Sequence, residues 1–246
     1  MPEQDARTRL LLGDAAVERL RASRVAVFGL GGVGSYVVEA LARAGVGALD
    51  LIDSDVVAES NLNRQLIATR STLGLPKVEA AAARVRDIDP TIRVTARRCF
   101  YLPETAGDFD FRDYDYIVDA IDTVTGKLRL VEDARAAGTP IICAMGTGNK
   151  LDPSRLRAAD ISQTRICPLA RVMRKELRKR GIEHLRVVYS EEEPREGGAP
   201  ETDNGRRCTP GSAAFVPGAA GLLLAAEVVK DLTAEARGEG PQCQRP

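Results

Sequence analysis

The chain has 246 residues, a formal net charge of zero at pH 7 and 44% hydrophobic residues. This length suits one large α/β domain or a domain with an appendage, and the hydrophobic content excludes wholesale disorder. The zero net charge excludes a global field that attracts nucleic acid, so any such attraction has to be local.

The cysteines and the ends of the chain indicate the compartment. The five cysteines are scattered singly without a C-x-x-C pair, which argues against a four-cysteine zinc site and indicates a reduced, cytoplasmic protein. The polar N-terminus has no apolar core of a signal peptide. The apolar segment 213–229 is only 17 residues long and contains Pro217 and Glu227. We predict a buried helix there, with peripheral membrane association as the alternative.

Strands and helices alternate regularly after a short amphipathic helix predicted over 14–21. The predicted strands are 24–28, 48–53, 92–96, 116–120 and 140–144, and the predicted helices are 33–44, 77–87 and 125–137. This alternation predicts an α/β fold with a doubly wound, mainly parallel sheet of the Rossmann type. We divide the chain into a helical arm (1–23), a Rossmann-like core (24–150), an extension of the same domain (151–237) and a tail (238–246).

The first predicted strand runs directly into a glycine turn, G-x-G-x-x-G. The turn contains Gly29, Gly31, Gly32 and Gly34, and a predicted helix follows it. Such a turn lets backbone N–H groups approach phosphate oxygens, and the helix N-terminus adds a partial positive charge. The turn alone does not distinguish NAD from ATP.

Polar residues farther along favour ATP. Asp53 ends the second predicted strand, 19 residues after Gly34, where an acid binds ribose hydroxyls or caps a turn. Asn61 and Arg64 share one face of a helical turn, and Lys77 stands where a helix begins. A lysine gains nothing from the helix dipole at that end, so an anionic ligand is a good reason for it.

Two acids follow the fourth predicted strand. Asp119 and Asp122 lie at the carboxyl end of a parallel strand, where α/β sheets bind ligands. Asp122 is placed to hold Mg²⁺ between phosphates, and Asp119 is the alternative turn cap. Together, the glycine turn, the ribose acid, the two cationic side chains and the second acid suit ATP·Mg²⁺ better than NAD.

Five ordered motifs carry a resemblance to a known family. They are Gly29–Ser35 (G-x-G-G-x-G-S), Leu51–Asp55, Ser60–Gln65, Gly74–Glu79 and Val118–Asp122. Over residues 24 to about 145 the chain resembles the ubiquitin-activating-like adenylating family of the MoeB, ThiF and HesA proteins. Segments at 151–154, 159–161 and 167–175 extend the resemblance to the tRNA-modifying, threonylcarbamoyladenosine dehydratase branch over nearly the whole chain.

The resemblance implies roles for individual residues. The implied ATP-binding residues are Gly29, Gly31, Gly32, Gly34, Asp53, Asp55, Asn61, Arg64, Gln65, Lys77 and Asp122. Asp122 matches the Mg²⁺ ligand, and Arg64, Lys77 and Asp122 are implied in catalysis. A further catalytic arginine near the N-terminus reaches the partner subunit of a homodimer in this family. Arg7 is the best match, and Arg9 is the alternative.

The resemblance also implies a reaction. In it, ATP adenylates the carboxylate of threonylcarbamoyladenosine at position 37 of tRNA, and cyclisation then releases AMP, a net loss of water. Adenylation of a small sulfur-carrier protein is the first alternative, disfavoured because the C-x-x-C zinc ligands of MoeB and ThiF are missing. An NAD(H)-binding protein is the second. The resemblance leaves open whether a monovalent cation is a further cofactor and whether sulfur-relay proteins are partners.

Three other features lie outside the motifs, and the first two have two interpretations each. The helix after residue 165 carries Arg171, Arg174, Lys175 and Arg178, in a stretch (165–186) with eight Lys/Arg against two Asp/Glu. It is either a solvated face or, as the local charge favours, a tRNA phosphate track. We interpret Cys167 as a small, half-buried residue rather than a thioester nucleophile. The acidic stretch 190–205 is predicted to be a loop.

Overall fold

One seven-stranded sheet organises the part of the chain that the computed structural model describes, residues 3–195 and 210–238. Its strands are β1 (Arg24–Phe28), β2 (Ala48–Ile52), β3 (Arg93–Arg97), β4 (Tyr116–Asp119), β5 (Ile141–Ala144), β6 (Leu156–Asp160) and β7 (Arg186–Ser190). The strand order is β3-β2-β1-β4-β5-β7-β6, and only β6 runs antiparallel to its neighbour.

Helices cover both faces of the sheet. They are α1 (Ala6–Leu12), α2 (Asp14–Ala22), α3 (Gly34–Ala44), α4 (Lys77–Ile88), α5 (Val124–Ala137), α6 (Pro168–Arg178) and α7 (Phe215–Thr233). Alternate residues of β1 point to opposite layers: Val25 and Val27 pack with α3, α4 and α7, whereas Ala26 and Phe28 pack with α5. A separate cluster joins α5, α6 and β7. The predicted doubly wound α/β fold is confirmed.

The predicted elements up to residue 144 are confirmed, and each end agrees within one residue. The helix α1 and the strands β6 and β7 were not predicted. In β6 only Leu156 is fully buried, so the strand lacks the apolar pattern that identifies a strand from sequence. Most of the predicted acidic loop and of the tail lies outside the described residues.

The apolar segment near the C-terminus forms α7, which packs closely against α3. The predicted buried helix is therefore confirmed. No helix of the described residues is long and apolar enough to cross a membrane. Gly218 lies against the Tyr36 ring, and a Cβ at Gly221 would stand 2.8 Å from the Tyr36 Cβ and overlap the Val33 carbonyl oxygen. These glycines let α7 support the helix that follows the glycine turn.

We expect Gly221→Ala to destabilise the protein by about 1–3 kcal/mol, because the added methyl group overpacks the contact between α7 and α3. Gly107→Ala is the matched control, since no atom lies within 4 Å of a Cβ at that position. Urea unfolding measures both. Equal midpoints for the two variants would contradict the close approach of the helices.

Candidate active site

A cavity of about 580 Å³ opens at the carboxyl ends of the parallel strands β1, β2 and β4. Among its lining residues are ten of those predicted from sequence: Gly29, Gly31, Gly32, Asp53, Asp55, Asn61, Arg64, Gln65, Lys77 and Asp122. Gly34 is buried behind the turn as the first residue of α3. The sequence prediction therefore identified one contiguous surface at the edge where α/β sheets bind ligands.

The glycine turn is as tight as a phosphate-binding turn requires. Gly29 has φ +88°, and a Cβ there would lie 2.7 Å from the Ala120 carbonyl oxygen. A Cβ at Gly34 would overlap the Gly29 carbonyl oxygen. Only glycine fits either position, so the turn after β1 crosses directly over the end of β4.

Asp53 anchors the glycine turn to the end of β2. Its Oδ2 accepts a hydrogen bond from the Leu30 N–H at 2.7 Å, and its Oδ1 accepts one from the Asp55 N–H at 2.8 Å. The carboxylate therefore fixes two loops as well as facing the cavity. Each carboxylate oxygen can still accept a second hydrogen bond, which leaves Asp53 able to bind a ligand hydroxyl.

Lys77 brings a buried positive charge to the cavity wall. It is the first residue of α4 and only 5% exposed. Its Nζ donates to Asp55 Oδ2 at 2.7 Å and lies 4.0 Å from Asp53 Oδ1. A buried ammonium needs such partners, and phosphate oxygens can share them.

The turn over residues 59–65 carries three of the predicted ATP-binding side chains, Asn61, Arg64 and Gln65. Asn61 Oδ1 accepts from the Ala58 N–H at 3.0 Å, which closes the start of the turn. Arg64 Nη1 donates to the Ser60 carbonyl at 2.8 Å and to Asn63 Oδ1 at 2.9 Å. Gln65 is 6% exposed, and its Oε1 has no hydrogen-bond partner among the described residues. The Gln65 amide oxygen is thus an available hydrogen-bond acceptor in the cavity wall.

Asp119 and Asp122 have different roles. The Asp122 side chain is exposed to the cavity, whereas Asp119 is fully buried. Asp119 Oδ2 accepts from Lys127 Nζ at 2.9 Å, and its Oδ1 accepts from the Ile121 N–H at 3.2 Å. The predicted turn cap is thus confirmed, but the partner Lys127, which also donates to the Ala144 carbonyl at 2.7 Å, was missed.

Other lining residues were also missed. After β3 the wall is formed by Cys99, Phe100 and Tyr101, and Phe100 is 55% exposed. Burial, and then the hydrogen bond that its hydroxyl donates to Asp133, raise the pKa of Tyr101. The sequence contained a signal for these three residues, because they follow a predicted parallel strand and such residues gather at one edge of the sheet. Thr147 follows the parallel strand β5 and had the same signal, whereas Ser212, in the extension, had none.

The N-terminal arginines lie outside this cavity. Asp5, at the start of α1, lies near Gly45 at the C-terminal end of α3, whereas the cavity is at the N-terminal end of that helix. Eleven helical residues separate the two ends by about 16 Å. Arg7 is exposed, and Arg9 pairs with Asp14 at 2.9 Å and Glu18 at 2.7 Å within the arm.

The basic helix presents only part of its predicted cationic face. Arg171, Lys175 and Arg178 are exposed on α6. Arg174 is half-buried, and its Nη1 donates to Thr164 Oγ1 at 2.6 Å and to the Thr164 carbonyl at 2.9 Å. That side chain therefore braces the turn before α6.

Cys167 is buried rather than half-buried as predicted, because it caps α6 and packs beneath Gly146. Burial lowers the pKa of the neighbouring Lys150. His184, by contrast, is exposed and lies 3.4 Å from Asp160. The described residues contain no cluster of three His, Cys, Asp or Glu side chains that could hold a metal ion by themselves.

Comparisons with known proteins agree with this geometry. The model of the ThiF family matches residues 5–244. The chain belongs to the ThiF family. Among ThiF-family relatives, the tRNA threonylcarbamoyladenosine dehydratase of Bacillus subtilis (strain 168) is 43% identical over 242 residues, which cover 94% of this chain and 95% of that protein.

Solved structures of the same family superpose closely. The E. coli tRNA N6-threonylcarbamoyladenosine dehydratase in complex with ATP has a TM-score of 0.87 and 32% identity, and the alignment covers 97% of both chains. The complex of that enzyme with AMP has a TM-score of 0.85 and 33% identity over 95% of both chains. The predicted family is confirmed.

We expect Lys127→Met to destabilise the protein by about 3–5 kcal/mol, because it leaves the Asp119 carboxylate buried and unpaired. The double variant Lys127→Met with Asp119→Leu recovers part of this loss, since it removes both charges. Lys179→Met is the control, because Lys179 is exposed. Urea unfolding compares the three. If Lys127→Met unfolds at the same urea concentration as the control, the ion pair does not contribute to the stability of the fold.

Proposed function

We propose that this protein is an ATP-dependent tRNA threonylcarbamoyladenosine dehydratase. It adenylates the carboxylate of threonylcarbamoyladenosine at position 37 of tRNA and closes the ring with release of AMP. The observation that carries the proposal is the 43% identity to the B. subtilis dehydratase over nearly the full length of both chains. The cavity supports it with groups for each part of ATP.

The cavity residues divide by the part of ATP that they suit. The glycine turn and the N-terminus of α3 offer backbone N–H groups to phosphate oxygens. Asp53 suits the ribose hydroxyls, and Lys77, Arg64 and Asn61 suit the phosphates. The unpaired Gln65 Oε1 can accept a hydrogen bond from the bound nucleotide or substrate.

Asp122 would hold Mg²⁺. Mg²⁺ is commonly bound by one or two carboxylates together with phosphate oxygens and waters, and a single exposed Asp at the cavity fits that pattern. The bound ion would neutralise phosphate charge. Asp122 supplies the carboxylate, and the turn capped by Asp119 keeps it at the end of β4.

The reaction needs positioning and charge neutralisation rather than a side-chain nucleophile. An oxygen of the substrate carboxylate bonds to the α-phosphorus, and the bond to pyrophosphate breaks. The carbamoyl nitrogen then attacks the activated acyl carbon, loses its proton and expels AMP. Arg64 and Lys77 stabilise the negative charge on the leaving pyrophosphate. The buried Cys167 takes no part.

A homodimer completes this site. Arg7 would reach the phosphates of the partner subunit, because in its own subunit it lies toward the far edge of the sheet. Leu10 and Leu11 in the same helix are 88% and 82% exposed, which suits a subunit contact. The exposed Arg171, Lys175 and Arg178 of α6 would bind tRNA phosphates.

The function is tested with purified protein, ATP, Mg²⁺ and tRNA that carries threonylcarbamoyladenosine. We expect one AMP per modified nucleoside that loses one water, as measured by mass spectrometry of digested tRNA. Adenylation of a small sulfur-carrier protein with no change in the tRNA would refute the assignment. Stabilisation by NADH but not by ATP·Mg²⁺ in a thermal-shift assay would refute the ATP site itself.

Asp122→Ala and Arg64→Ala should each lower AMP release by about 10²–10³-fold, because each removes stabilisation of charge that develops during the reaction. Asp110→Ala and Arg112→Ala are matched controls, since these residues pair with each other at 2.7 Å on the surface. Urea unfolding verifies that all four variants fold. Unchanged turnover in the Asp122 or Arg64 variant rules out the assigned role of that residue.

A mixture of Arg7→Ala and Asp122→Ala chains should regain AMP release that neither variant has alone. In a mixed dimer, the Arg7→Ala subunit keeps Asp122 and receives Arg7 from its partner, so one of the two sites is intact. Turnover is measured after the two variants are refolded together. If the mixture contains mixed dimers but AMP release does not recover, the prediction is wrong. Arg7 then acts in the site of its own subunit or has no part in catalysis.

A further inference from the structure

A second open groove lies at the β6 edge of the sheet and shares no lining residue with the nucleotide cavity. It has a volume of about 630 Å³ and runs between the edge strand β6 and the turn over residues 162–165. Its lining residues are Arg157, Ala158, Ala159, Ser162, Gln163, Thr164, Arg165, Tyr189 and Glu191. The volume of the groove and the two small alanines beside longer donor side chains suit an extended ligand.

The lining of the groove has a small excess of positive charge. Two of its nine residues, Arg157 and Arg165, are cationic, and both are exposed. Among the described residues, none pairs with the Arg165 guanidinium. Glu191 is the one acid among the lining residues, and it lies 3.6 Å from Arg157. The net charge of the lining favours an anionic ligand.

The groove is continuous with the basic helix α6. Arg174 of α6 donates to Thr164 of the groove wall, so the exposed face of α6 lies beside the turn that carries Arg165. The same N-terminal end of α6 also lies next to the segment that leads into the nucleotide cavity. Cys167 and Leu169 lie 3.6 and 3.7 Å from a Cβ placed on Gly146, and the next residue, Thr147, lines that cavity.

We propose that the groove between β6 and residues 162–165 binds backbone phosphates of the substrate tRNA, as the outer part of a surface that starts at the cavity and includes α6. This inference rests on the proposed function, because it needs a tRNA whose modified nucleotide enters the cavity. Arg157 and Arg165 act as phosphate contacts, and Ser162 and Gln163 donate to phosphate or sugar oxygens.

The geometry favours RNA over a protein strand added to the edge of the sheet. A protein strand on β6 would need the free backbone groups of that edge. Arg157 Nη1 already donates to the Leu156 and Ser154 carbonyls at 2.8 Å, which blunts the start of the strand. Phosphates need only N–H groups of the two guanidinium groups, and these bonds engage Arg157 Nη1 but neither Arg157 Nη2 nor Arg165.

The double variant Arg157→Glu with Arg165→Glu tests the proposal. Arg86→Glu with Arg135→Glu is the matched control, because it changes the charge equally at exposed positions on α4 and α5. The affinity of each protein for tRNA carrying threonylcarbamoyladenosine is measured from low to high salt. We expect the groove variant to bind more weakly and the slope of log affinity against log salt to shrink by about one for each lost contact. The control keeps the wild-type slope.

Three outcomes separate the possibilities. Weaker tRNA binding by the groove variant alone, with wild-type affinity for ATP, supports the proposal. Wild-type tRNA affinity and salt slope in the groove variant overturn it but leave the proposed function standing, provided that the wild-type protein converts the tRNA. A groove variant that becomes monomeric in light scattering also overturns it, because the edge would then be a subunit interface.

Discussion

The hydrogen-bonded ion pair between Lys127 and Asp119 fixes the end of β4 directly before the residues, 120–122, that line the cavity. Both side chains are completely buried, and the pair joins the end of β4 to α5 and, through the Ala144 carbonyl, to β5. An isolated charge at that depth would be costly, but here the ammonium and the carboxylate satisfy each other and nearby backbone groups. The pair therefore fixes β4, α5 and β5 relative to one another. The turn that carries Asp122 follows β4 directly, so its position is fixed as well.

The cavity above this pair depends on close backbone contact. The glycine turn crosses the end of β4 at Gly29, and Asp53 ties the same turn to β2 through the Leu30 N–H. Contacts with both neighbouring strands, β2 and β4, thus hold the turn in place without a ligand. Binding groups that are fixed in advance lose little conformational freedom when they bind, which suits chemistry that relies on positioning.

Much of this arrangement could be predicted because local patterns encode it. Buried β-branched strands, glycine turns and helix ends are signalled by neighbouring residues, so the core elements were predicted to within one residue. The Lys127–Asp119 pair joins residues in separate elements that no periodicity relates. Phe100, by contrast, follows the predicted strand β3 and could have been placed at the cavity from the sequence. Arg174 shows why counting charges in the sequence is not enough. Its guanidinium group donates hydrogen bonds to Thr164, so it is less available to bind a ligand than the sequence suggests.

The contact of α7 with α3 also bears on synthesis of the protein. The glycine turn and its helix lie within the first fifth of the chain, and the helix that backs them lies within the last eighth. Folding of the nucleotide turn therefore depends on contacts of high sequence separation, which form late. A nascent chain that stops before residue 215 already contains the glycines, Asp53, Lys77 and Asp122 but lacks their support. Support of the glycine turn thus requires synthesis of the chain through α7.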